Sequence, residues 1–216
     1  GYVRFSGSQT LSGTGSVVFG NSNIDNFLQL TTEDTTLTIA SGFTVRGQTG
    51  YLGYSPRYSG PTNVSIVNNG TIQADVNGGT ITISTPGGSL RSLGALRATS
   101  GNTLAIVSPV SNASNTLDLS GGGTIAISGS VQSGTIAIAA GTILNSSNST
   151  LIGVTVNGDF QVAGNNVFTV ANGLTLNGVL TVGDSATPSR FGYVRFSGSQ
   201  TLSGTGSVVF GNSNID

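Results

Sequence analysis

The chain has 216 residues, a formal net charge of −1 and only 7% charged residues, against about 25% in ordinary globular domains. Such a balance excludes a basic footprint for nucleic acid and polybasic attraction to anionic lipid. His, Cys, Met, Trp and Lys are all absent, which removes imidazole triads, thiol and amine nucleophiles, disulfides and zinc–thiolate sites together.

The first 25 residues, GYVRFSGSQTLSGTGSVVFGNSNID, return unchanged as Gly192–Asp216. Identity over this length fixes a period of 191 residues (192 − 1). A fixed period is the signature of a repeat architecture. The expected organisation is one full unit at residues 1–191, followed by the start of the next at 192–216 in the same solenoid. The chain then reads as a window on a longer tandem array, and deliberate duplication of a segment is the other explanation.

Past the first copy, short runs alternate apolar and small polar residues: Thr36–Val45, Asn63–Ile83, Gly121–Leu144 and Gly153–Val182. Alternation of period two puts one set of side chains inward and the other outward on a strand. The richness in Val, Ile and Thr argues against the disorder that low charge and high Gly can signal. Leu37, Ile39, Val64, Ile66, Ile81, Ile83, Ile125, Ile127, Ile136, Ile138, Val154, Val156, Phe168, Val170, Leu174, Leu176, Leu180 and Val182 are the expected core.

Gly-Thr-Ile recurs at Gly70, Gly79, Gly123, Gly134 and Gly141, and Asn-Gly at Asn69, Asn77, Asn157, Asn172 and Asn177. Strands of about four to six residues are therefore separated by tight corners, where Asn and Gly tolerate positive φ. Antiparallel hairpins would use Asn-Gly in this way. A parallel β-helix would too, and it better explains the scarcity of charge, since like charges would stack every ~4.8 Å. Coils of 20–25 residues predict a right-handed parallel β-helix of about nine to ten coils, with Asn side chains stacking at corners.

Three segments depart from the pattern. Ser55–Pro61 has two Pro and no alternation, and is expected to loop out of its coil. Ser89–Gly101 spaces Leu90, Leu93 and Leu96 like a helical turn, but its Gly94 and flanking strands predict an irregular coil. Residues 183–192 form the third expected loop. No apolar run approaches the ~18 residues of a membrane-spanning helix.

The texture of TLNGVLTVGDS, GYVRFSGSQTLSGTGSVVFGNSN, TTLTIASGFTVRGQTGYLGY and NVSIVNNGTIQADVNGGTITI resembles the strand repeats of giant bacterial surface and secreted proteins. It is similar to filamentous-haemagglutinin and autotransporter-passenger β-helices over nearly the whole unit, except residues 84–115. The resemblance implies export to the cell exterior and a role as filament, surface coat or adhesin. The undegraded 191-residue repeat departs from typical passengers and favours a fibre or stalk.

Chemistry is sparse. Glu33 and Asp34 are adjacent, and neighbours in a strand point to opposite faces, so a solvated turn is expected there. Asp159 and Asp184 follow Gly and read as turn caps. No Gly-Gly-x-Gly-x-Asp repeat indicates calcium-binding coils, which leaves a single ion at an isolated acidic corner open. Thr36/Thr38 and Thr80/Thr82 read as isolated pairs rather than a stacked ice-binding array. No catalytic residue, cofactor or metal ligand is assigned. The candidate contact surface is Tyr51, Tyr54, Arg57 and Tyr58, since Tyr offers a flat apolar face and a polar tip for a sugar or a second chain. The alternative is that these rings pack on their own loop.

The expected partners are neighbouring copies of the same repeat and, second, glycans or another cell surface. A polysaccharide-cleaving β-helix enzyme is the third reading. It would need Asp or Arg clustered on one face.

Overall fold

A computed structural model describes residues 1–21, 26–162, 164–184 and 191–211. The chain is an all-β parallel solenoid with no helix among these residues. Each turn lays down three short strands, one on each of three faces, and the next turn stacks on it in parallel register. The first turn runs Tyr2–Phe5, Gln9–Leu11, Ser16–Phe19. The second runs Phe27–Leu30, Thr36–Ile39, Thr44–Gly47. The first face builds a ten-stranded sheet, and the second and third share a sixteen-stranded one. The stack is about eight turns deep, slightly fewer than the nine to ten expected.

Turns are unequal. Asn145 pairs with Gln161 and Tyr51 with Thr82, so one turn takes between 16 (161 − 145) and 31 (82 − 51) residues. The longest includes Ser55–Pro61, which leaves the coil as expected. The segment predicted to be irregular is instead regular: Leu90–Ser92 and Ala95–Ala98 are ordinary second- and third-face strands. Leu90 and Leu96 point inward and Leu93 faces solvent at the corner, so the spacing of three is a strand–corner–strand pattern. The loop expected at 183–192 has 185–190 outside the described residues.

The core is a set of ladders. On the second face Leu37, Ile66, Leu90, Val110, Val131, Leu151 and Val170 stack rung upon rung. On the first, Leu52, Ile83, Ile106 and Ile127 do the same. Every residue of the expected core is buried except Ile138, which is partly buried against it. Buried apolar surface contributes about 25 cal/mol per Å², and in a stack that term is shared between neighbouring rungs.

Corners explain the glycines, though not only through positive φ. Gly70 needs no left-handed backbone. A Cβ there would lie 2.2 Å from the Phe43 carbonyl oxygen of the turn below. The Gly-Thr-Ile glycine thus marks where backbone stacks on backbone. Gly153 shows the other use: with φ +60 it makes a one-residue corner inside the continuous strand Thr150–Asn157. Asn-Gly makes no hairpins, because all pairing between the strands is parallel. Corner amides interact across turns, with Asn177 Nδ2 donating to Asn157 Oδ1 at 2.9 Å. Asn68, fully buried, donates through Nδ2 to Ser92 Oγ at 3.0 Å.

Candidate functional surfaces

Two surfaces stand out: the ends of the stack, built by the repeated stretch, and an aromatic patch on the first face.

The two copies of the repeated stretch point the same residues inward. In the first, Val3 lies against Leu28, Phe5 against Leu30, Leu11 against Ile39 and Val17 against Val45. In the second, Val194 lies on Phe168, Phe196 on Val170, Leu202 on Leu174 and Val208 on Leu180. The first copy is the bottom rung, covered from above. The second is the top rung, resting on the turn below. Phe19 is 5% exposed, and its equivalent Phe210 is 77% exposed. Phe19 is buried because its ring lies over Gly50, where a Cβ would come within 2.4 Å of ring carbon.

The top end is a hollow. Leu180, Val182, Val194, Phe196, Leu202 and Val208 line an apolar cavity of about 380 Å³. A simple stack would seat Phe196, Leu202 and Val208 together on the coil near Leu176–Val182. Val208 does sit there, on Leu180, whereas Phe196 and Leu202 sit earlier, on Val170 and Leu174.

The two copies also differ in position around the axis. YVRF occupies the first face as Tyr2–Phe5 and the second as Tyr193–Phe196. SVVF occupies the third face as Ser16–Phe19 and the first as Ser207–Phe210.

The aromatic patch faces outward. Tyr2, Phe27 and Tyr51 stack in register on successive rungs of the first face. Phe27 and Tyr51 have ring centroids 5.3 Å apart. The loop after Gly53 folds back so that Tyr58 lies 5.5 Å from Phe27 and 5.6 Å from Tyr2. This leaves Phe27 only 2% exposed although it points away from the core. Arg4 stands 4.8 Å from the Tyr2 ring and 5.9 Å from Tyr58, within reach of cation–π attraction. Arg57 is 5.7 Å from Tyr58.

Polar contacts pin the loop. Gln29 Nε2 donates to the Ser59 carbonyl at 2.6 Å, and Arg4 Nε donates to Gln29 Oε1 at 3.2 Å. The Tyr58 N–H donates to the buried Ser55 hydroxyl.

Of the four predicted contact residues, the fold brings together Tyr51, Arg57 and Tyr58. Tyr54 stands outside the ring cluster, half-buried, its N–H donating to the Ser84 carbonyl. Tyr2, Arg4, Phe27 and Gln29 complete the patch. Their signal in the sequence is the set of aromatics at positions 2, 27 and 51, one turn apart.

The acids are spread out. Asp34, at φ +55, accepts from Asn63 Nδ2, which places Glu33 and Asp34 at a turn as expected. Asp159 caps the next rung by accepting from the Val179 N–H. Asp75 bridges to Arg46 at 2.6 Å and accepts from the Gly47 N–H. Among the described residues no group of three or more acids lies close enough to hold a metal, and no helix is long and apolar enough to cross a membrane.

One expectation is corrected. Thr residues do stack: Thr80, Thr103 and Thr124 on the first face, and Thr116, Thr135, Thr155 and Thr175 on the third. Unequal turns conceal these columns in the sequence, because they hide which residues align. They are single columns, flanked outward by Ala105 and Ala126 or by Asp118, Ala137 and Asn157.

No protein-family model, no curated protein and no solved structure matches the chain.

Proposed function

We propose that the chain is a structural segment of a long extracellular β-solenoid, a fibre, stalk or sheath in which 191-residue units follow one another. The observation that carries this reading is the complementarity of the two copies. The first shows what covers the repeated stretch from above, and the second shows what it rests on below. Superposed, they make one continuous joint. The hollow above Leu180 and Val182 is then the seat for the rung that Leu28, Leu30, Ile39 and Val45 provide over the first copy. Bare rungs also expose unpaired strand edges, which favour continued pairing, and head-to-tail stacking gives open filaments. The resemblance to secreted β-helix proteins supports the extracellular setting.

A unit of eight turns and one further face rises about 40 Å at the strand spacing. Electron microscopy of native material should show threads of constant width with that axial repeat. Compact, monodisperse particles with no axial repeat would overturn the reading.

A second reading has its own observation. Tyr2 and Tyr58 are half-exposed rings beside Arg4 and Arg57 on the outer face, a surface able to stack on a sugar or a second chain. Tyr58→Ala should then reduce glycan binding on an array, and equal binding by both proteins would remove this reading.

A further inference from the structure

Two copies of one sequence lie on different faces. Tyr2 pairs with Phe27 on the first face, whereas Tyr193 pairs with Val167 on the second. Residues 192–211 thus repeat residues 1–20 after eight turns and a third, not after a whole number of turns.

Chain length enforces the offset. Val182 ends a first-face strand and Tyr193 begins the next strand, with ten residues (183–192) between them. The shortest complete turn in the stack takes 16 residues (161 − 145). Ten residues turn one corner but cannot also cross the second and third faces. Residues fully extended span at most ~3.3–3.6 Å each, so this segment has no slack to return YVRF to the first face. The core permits the change of face because the inward set is unaltered: Val3, Phe5, Leu11, Val17 and Phe19 become Val194, Phe196, Leu202, Val208 and Phe210, all directed at the axis.

We infer that each unit in the array is turned by one face relative to the unit before it. The aromatic patch of Tyr2, Phe27, Tyr51 and Tyr58 therefore follows a helical track around the solenoid. It returns to a given side every third unit, at intervals of about 120 Å. A flat partner lying along one side, a neighbouring filament of the same chain above all, meets the patch at that interval and not at every unit. This inference rests on the tandem-array reading.

Engineered thiol pairs test the offset in the chain as it stands, because it contains no cysteine. Facing outward residues on adjacent parallel strands lie within the Cα separation a disulfide accepts, about 4.4–6.8 Å. Thr169→Cys with Arg195→Cys should cross-link on oxidation, as should Thr181→Cys with Val209→Cys. Thr181→Cys with Arg195→Cys should not. Cross-linking of that last pair, or failure of both expected pairs, overturns the offset.

The array-level consequence is read on native filaments carrying a gold label at Arg57→Cys. Labels on three sides with a 40 Å axial repeat support the inference. Labels along one side with the same repeat overturn it while leaving the tandem reading intact. Absence of any axial repeat overturns both.

Discussion

Phe19 and Gly50 form a matched pair across a corner: the ring of one rung lies in the space left by the missing side chain of the next. The same phenylalanine in the second copy, Phe210, has no such neighbour and stands open. Burial of the repeated stretch is thus supplied by the rung stacked above it.

Glycines at backbone-stacking corners should be intolerant of even a methyl group. Gly94 has no positive φ, yet a Cβ there would lie 2.0 Å from the Gly70 carbonyl oxygen. Gly94→Ala should lower stability by about 1–3 kcal/mol, the usual cost of overpacking. Gly20, with nothing within 4 Å of its built Cβ, should accept Ala with a change of about 0.5 kcal/mol or less. Denaturant melts of the two variants check the contrast.

Ladder residues should behave as core. Ile66 is fully buried between Leu37 and Leu90, and its change to Ala should cost about 2–5 kcal/mol. Because stability is passed between neighbouring rungs, hydrogen exchange should rise first in the adjacent strands Thr36–Ile39 and Leu90–Ser92. Uniform acceleration along the whole stack would contradict nearest-neighbour coupling.

Asp75 should matter more than its ion-pair partner. Arg46 is 44% exposed on its side chain, and exposed pairs contribute about 0–1 kcal/mol. Asp75 also accepts the Gly47 N–H, so Asp75→Ala leaves a backbone donor without its partner, at a cost of about 1–3 kcal/mol. Thermal melts should rank Asp75→Ala below Arg46→Ala, and the reverse order would reject the backbone role.

The aromatic loop should open locally without unfolding the stack. Aromatic pairs contribute about 0.5–1.5 kcal/mol each beyond area, and Tyr58 makes two of them. Tyr58→Ala or Gln29→Ala should therefore raise trypsin cleavage at Arg57 several-fold while leaving the global melting midpoint nearly unchanged. A large drop in that midpoint would mean the loop supports the whole stack.

Much of this architecture is legible in the alternation of small polar and β-branched residues. Ile81, Ile83, Ile125 and Ile127 can be assigned inward from period two alone, and Ser55–Pro61 can be placed outside the coil from its prolines. What alternation cannot give is lateral alignment. It says that Thr80 faces outward but not that Thr103 lies beside it, because the offset between stacked residues changes from turn to turn. For the same reason the sequence shows the patch only as the local cluster of Tyr51, Tyr54 and Tyr58. Its other members, Phe27 and Tyr2, lie one and two rungs away. The regular strands at Leu90–Ser92 and Ala95–Ala98 are obscured by a corner leucine that breaks the polar spacing.

Unequal turns carry a consequence for how such a chain can vary. Each rung finds its register from its own inward residues, so extra chain inserted at a corner leaves the rungs above and below in place. The segment between Gly53 and Ser65 already shows this, adding its aromatic loop without disturbing the ladder from Leu52 to Ile83. Corners between the first and second faces are accordingly grafting points. A foreign peptide placed there should be displayed at fixed height and bearing, while the scaffold remains indifferent to its length.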